Sequence, residues 1–63
     1  MATELPWIGA PARSALEDVG IANLEGVREL TEKELLALHG VGPKAVGILK
    51  AALAERGESL REH

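Results

Sequence analysis

The 63-residue sequence contains no cysteine, no phenylalanine and no tyrosine, and Trp7 is its one aromatic residue. Without cysteine, neither a disulfide nor a thiolate metal site can hold the fold, so packing alone must do it. That absence fits a reducing, cytoplasmic setting. Long apolar runs are missing as well: none approaches the roughly 18–20 residues of a membrane span, and Met1-Ala2-Thr3-Glu4 lacks the basic start of a signal peptide. The expectation is a soluble intracellular chain with no membrane partner. A length of 63 residues makes one small domain with a modest buried core and little stability to spare. Cations are scarce too, seven Lys and Arg against ten Asp and Glu for a net charge of −3, which argues mildly against nucleic acid because phosphate binding depends on cation density.

The parts of an enzyme are also lacking. Ser14, Ser59, Thr3 and Thr31 have no histidine and acid at motif spacing, and so short a chain offers little room for a small-molecule pocket. His39 and His63 are 24 positions apart with no cysteine to complete a metal shell. Glu32 and Glu34 point to different sides of a helix and suit a helix start better than paired-carboxylate chemistry. Gly40-Val41-Gly42-Pro43-Lys44 lacks the loop length and the following Ser or Thr of a Walker-type phosphate loop. No catalysis, metal or cofactor is expected.

What the chain does have is helical punctuation, with no alternating strand pattern. Pro11 suits the start of a first helix near 11–19 that Gly20 stops, with Leu16 and Val19 inward. Asn23 can cap a short second helix carrying Leu24, Val27 and Leu30. Thr31-Glu32-Lys33-Glu34 has the reciprocal spacing of a capping box, so a third helix starts there, presents Leu35 and Leu38 to the core and ends at His39-Gly40. The last helix runs from Pro43 to about Arg56 and stops at Gly57, with Ala45, Ile48, Leu49, Ala52 and Leu53 on one buried stripe. Together these predict four or five short helices in one domain over 5–57, with 1–4 and 58–63 frayed.

Between the third and fourth helices, Leu38-His39-Gly40-Val41-Gly42-Pro43-Lys44-Ala45 reads as a tight hairpin. Gly40 and Gly42 allow positive φ and close approach from outside, Pro43 suits the first helical position, and the next amides point out of a positive helix end. The pattern occurs twice: Leu5 to Leu16 lies on Leu38 to Leu49 without gaps at an offset of 33 residues. Ile8 falls on Val41, Gly9 on Gly42, Ala12 on Ala45 and Leu16 on Leu49. An aliphatic tip plugs the helix pair, a glycine turns the chain, and a small alanine lets two helices cross closely. In the early copy Trp7 replaces the first glycine and Pro11 stands where Lys44 does, so that copy is expected to serve chiefly as scaffold. Trp7 could anchor a partner, but a lone Trp in a small domain more often caps the core, and the core role is the one expected.

From about Leu5 to Gly57 the chain resembles a compact tandem helix-hairpin-helix domain, most similar to the C-terminal domains of bacterial RNA polymerase alpha subunits. The carriers are Leu16 to Ile21, then Leu24, Val27 and Leu30, then Thr31-Glu32-Lys33-Glu34-Leu35-Leu36, the hairpin Val41-Gly42-Pro43-Lys44, and the helix to Arg56-Gly57. The resemblance implies an all-α, four- or five-helix tandem helix-hairpin-helix fold of the SAM-domain-like kind. It also implies DNA-backbone binding through the second hairpin and the start of the first helix, and, in some members, docking on other proteins. Gly42, Lys44 and Ala45 would face phosphate. Arg13 matches less well, since the family's arginine falls near Pro11 when the first helix is anchored on Leu16 and Gly20-Ile21.

The expected DNA phosphate-binding residues are therefore Gly40, Val41, Gly42, Lys44 and Ala45, with Gly9, Arg13, His39 and Lys50 as auxiliary contacts. Amides of Gly42, Lys44 and Ala45 would donate to phosphate oxygens, Pro43 has no N–H to give, and the Lys44 ammonium adds charge. Such contacts position without specifying sequence. Lys50 lies about 120° around the helix from Lys44, so the two cannot share one narrow stripe. His39 could contribute near the turn if protonated, but a single histidine beside a hairpin is more often a neutral helix-end residue. Charge distribution leaves two functions open. Residues 1–38 balance at −4 and favour a protein-interaction or assembly module, whereas 39–63 balance at +1 and no acid occurs from Leu35 through Ala54, which favours double-stranded DNA.

Overall fold

Short-range hydrogen bonds at capping residues delimit each helix of this chain. The structure, a computed structural model describing residues 5–62, contains four α-helices and no strand among those residues. They are α1 (Ala10–Asp18), α2 (Leu24–Val27), α3 (Glu32–Ala37) and α4 (Pro43–Glu55). The all-α expectation holds for them. Residues 1–4 and His63, assigned to the frayed ends, lie outside the described residues. The radius of gyration is 10.3 Å, against about 10–11 Å for a folded chain of this length.

Asn23 Oδ1 accepts from the Gly26 N–H at 2.9 Å and starts α2. At α3 both halves of the capping box form: the Glu34 N–H donates to Thr31 Oγ1 at 3.1 Å and the Thr31 N–H to Glu34 Oε1 at 2.8 Å. The bond from the Thr31 N–H, aided by the nearby Arg61 guanidinium, holds the Glu34 carboxyl below the usual carboxylate range. α1 and α4 end alike. The Gly20 N–H donates to Glu17 O and the Ile21 N–H to Leu16 O, at 3.0 and 2.9 Å; the Gly57 and Glu58 N–H groups donate to Ala54 O and Leu53 O, both at 2.9 Å.

These ends decide which residues face inward. Val19, expected beside Leu16, is the C-cap of α1 and is 51% exposed, because the chain reverses at Gly20 and Ile21 takes the inward place. The core is built of aliphatic side chains around Leu16, Val27, Leu35, Leu49 and Leu53, all fully enclosed. On α4 the stripe centres on Ala45, Leu49 and Leu53; Val46 joins it in full burial, while Ile48 and Ala52 form its half-buried margin. Trp7 does not cap this core. Leu5 and Ile8 pack against it from the same segment, and the indole between them is 69% exposed.

The two repeated segments have matching roles. Gly9 and Gly42 are the N-caps of α1 and α4, and their carbonyls accept from the Arg13 and Val46 N–H groups at 3.0 and 3.1 Å. Ala12 and Ala45 are buried, as are Leu16 and Leu49. The N-caps differ in backbone, φ being 96° at Gly9 and −111° at Gly42. Beyond α4, residues 58–62 form no helix, yet they are attached: the Arg61 N–H donates to Leu30 O at 3.0 Å, and Leu60 packs against the core. Glu58 meets Arg28 at 3.1 Å, and Arg61 meets Glu34 at 3.0 Å.

Gly47 lies mid-helix on the exposed side of α4, where an added Cβ would meet nothing within 4 Å. Glycine in a helix interior is less stable than alanine by roughly 0.5–1 kcal/mol. Gly47→Ala is therefore expected to raise stability by about that amount, read as a higher denaturant midpoint at unchanged slope. A lower midpoint would contradict the outward setting of this position.

Candidate nucleic-acid interface

α3 ends because Leu38 turns extended, with φ −75° and ψ 133°. The Val41 N–H donates to Leu38 O at 3.1 Å and closes the α3–α4 turn, and the Val41 side chain plugs into the core at 6% exposure. Of the two glycines in the turn only Gly40 is left-handed, with φ 94°. A Cβ there would stand 2.7 Å from the carbonyl oxygen of Pro11, so Gly40 is also the point where the turn abuts the first turn of α1. Gly42 does not adopt the positive φ that the sequence permits. As N-cap of α4 it is extended, with φ −111° and ψ −179°, and its Cβ direction is open.

This geometry leaves donors at the start of α4. Pro43 is the first helical residue and has no N–H, and the first backbone bond of the helix is from Val46 to Gly42. The N–H groups of Gly42, Lys44 and Ala45 have no hydrogen-bond acceptor among the described residues. They surround the positive end of a 13-residue helix. Lys44 is exposed; of the seven cations, only it and Lys33 make no ion pair among the described residues. Val41 and Ala45 have buried side chains, and the Val41 N–H is already given to Leu38 O, so of the two only Ala45 has an N–H left to offer a phosphate and Val41 drops out of the expected donor set.

The auxiliary residues fall into three settings. His39 is exposed beside Gly40. Gly9 and Arg13 belong to the start of α1, the region that Gly40 abuts through Pro11; Arg13 is exposed and pairs with Glu17 at 3.4 Å. Lys50 stands farther along α4, with Nζ 2.8 Å from Glu32 Oε1. Sequence reasoning missed that pair and the contact of Gly40 with Pro11, because both join residues remote in sequence. The first joins the start of α3 to the middle of α4, two helices that pack against each other.

A groove of about 460 Å³ lies away from the turn and is lined by Glu32, Lys50, Ser59, Leu60, Arg61 and Glu62. Its cations are the paired Lys50 and Arg61. Among the described residues no group of acids and histidines could hold a metal ion, and no helix is long and apolar enough to cross a membrane. Comparison with protein-family models, with curated proteins and with solved structures finds no match to this chain.

Proposed function

We propose that this chain is a small, non-enzymatic cytoplasmic module of the tandem helix-hairpin-helix kind that binds the backbone of double-stranded DNA through the α3–α4 turn. The observation that carries this reading is the set of three N–H groups that have no acceptor among the described residues, on Gly42, Lys44 and Ala45, at the start of α4 beside Lys44, which makes no ion pair among those residues. Backbone amides at a helix start and a free ammonium are what a phosphate needs, and they carry no base information. The contacts are few, so the affinity is low: a dissociation constant of ~10⁻⁴ to 10⁻⁶ M, nearly indifferent to sequence and lost as salt rises. A protein-interaction or assembly role on the same scaffold has one specific observation in its favour, the 69% exposure of Trp7, joined to a net charge of −3.

Fluorescence anisotropy of a labelled duplex at low and moderate salt tests the DNA reading. Lys44→Glu should weaken binding while leaving the far-UV circular dichroism unchanged, since it replaces a cation with an anion that competes for the same amides. Absence of wild-type binding at low salt and near-millimolar protein would sink the DNA reading. Concentration-dependent self-association insensitive to Lys44→Glu would then support assembly.

A further inference from the structure

Lys44 and Lys50 flank Gly47 on the exposed side of α4. Each is three residues from it, which puts one lysine about 60° to either side of Gly47 around the helix axis. They do not share a stripe, but a strand laid over Gly47 runs between them. Nothing lies within 4 Å of a Cβ placed at that glycine, so a phosphate backbone can come close to the helix there, within reach of two flexible lysine stems.

The two lysines are not equally available. Lys44 has no ion-pair partner among the described residues, while Lys50 Nζ is held 2.8 Å from Oε1 of Glu32, the first residue of α3. The side chains of this pair are 54% and 51% exposed. Exposed pairs of this kind are weak and screened by salt, so a line of phosphates can draw Lys50 away, but only against Glu32.

We infer that Glu32 is an affinity-limiting residue, which competes with DNA phosphate for Lys50 and keeps the backbone contact from extending along α4 past Gly47. This rests on the DNA reading above. In the free protein Lys50 is held by Glu32, and any phosphate that recruits it must first displace that carboxylate. Removing the carboxylate releases it as one further phosphate contact.

The test is the salt dependence of duplex binding by the full chain, measured by anisotropy for wild type, Glu32→Gln, Lys50→Gln, the double variant, and Glu29→Gln, each checked for helix content. Glu29 is exposed and makes no ion pair among the described residues, so its variant has the same net charge as Glu32→Gln without freeing Lys50. One added contact steepens the logarithmic salt slope by about 0.9, so the advantage of Glu32→Gln over wild type should shrink by about 3.5-fold between 50 and 200 mM salt. Glu29→Gln should keep the wild-type slope, and adding Lys50→Gln to Glu32→Gln should remove the increment. Equal slopes for Glu32→Gln and Glu29→Gln, or an increment that survives Lys50→Gln in the double variant, would overturn the role of Glu32 while leaving the DNA reading intact. Failure of every variant and of wild type to bind at low salt would overturn both.

Discussion

Replacing Gly40 with alanine is expected to destabilise the protein by roughly 2–6 kcal/mol, through one position and two separate costs. The first is conformational. At φ 94° the residue lies where a side chain is rarely accommodated, a strain of about 1–3 kcal/mol for anything but glycine. The second is steric. The new Cβ would stand 2.7 Å from the Pro11 carbonyl oxygen and 3.1 Å from its carbon; these are backbone atoms that cannot rotate away, so the turn and α1 must separate, at about 1–3 kcal/mol. A domain of this size has only about 3–9 kcal/mol in total, and Gly40→Ala should therefore leave a large unfolded fraction at moderate temperature. Gly42→Ser is the matched control. Gly42 is an extended N-cap with open space along its Cβ direction, and serine is among the preferred N-cap residues, so that variant should keep or slightly raise the melting temperature. Thermal unfolding by far-UV circular dichroism compares the two; a wild-type transition for Gly40→Ala would disprove the close contact with Pro11.

The next largest effect is expected in the middle of α4. Leu49 is 0% exposed and belongs to the central core cluster, so Leu49→Ala loses its transfer free energy and leaves a cavity, about 2–5 kcal/mol together. In a domain this small the melting temperature should fall by on the order of 10 °C or more. Ile48, its neighbour, is half-buried at the edge of the stripe, and Ile48→Ala should cost clearly less. Equal losses at the two positions would mean that the helix is rotated relative to its packing in this structure.

The features legible in the sequence are those that one stretch of chain settles by itself. Asn23, the Thr31–Glu34 pair and Gly57 act through partners within five residues, so the starts of α2 and α3 and the end of α4 can be read from spacing alone. Helical periodicity likewise gave Ala45, Leu49 and Leu53 as the buried side of α4. It failed at Val19 because period continues past the last helical turn while the chain does not, and Ile21 inherits the inward direction. Trp7 was misread because residue size argues for burial, whereas its neighbours Leu5 and Ile8 already fill the places against the core. In the candidate interface the segment from Gly40 to Ala45 was legible as a unit, since its glycines, proline and lysine are contiguous. The division of labour between Gly40 and Gly42 was not, because it depends on Pro11, some thirty residues away. The pairing of Lys50 with Glu32 escaped for the same reason: an acid-free stretch of sequence is not an acid-free surface once α3 and α4 fold together.

The position of Trp7 also shapes how this protein can be watched. With one indole and no tyrosine, all of its intrinsic fluorescence comes from a side chain that is largely exposed before any unfolding occurs. Emission from that chromophore is therefore a poor denaturation signal, and helix content has to be followed through the peptide bond instead. The same setting makes it a selective proximity sensor, because a blue shift at constant helicity would register a macromolecule covering the segment ahead of α1 and not a rearrangement of the core.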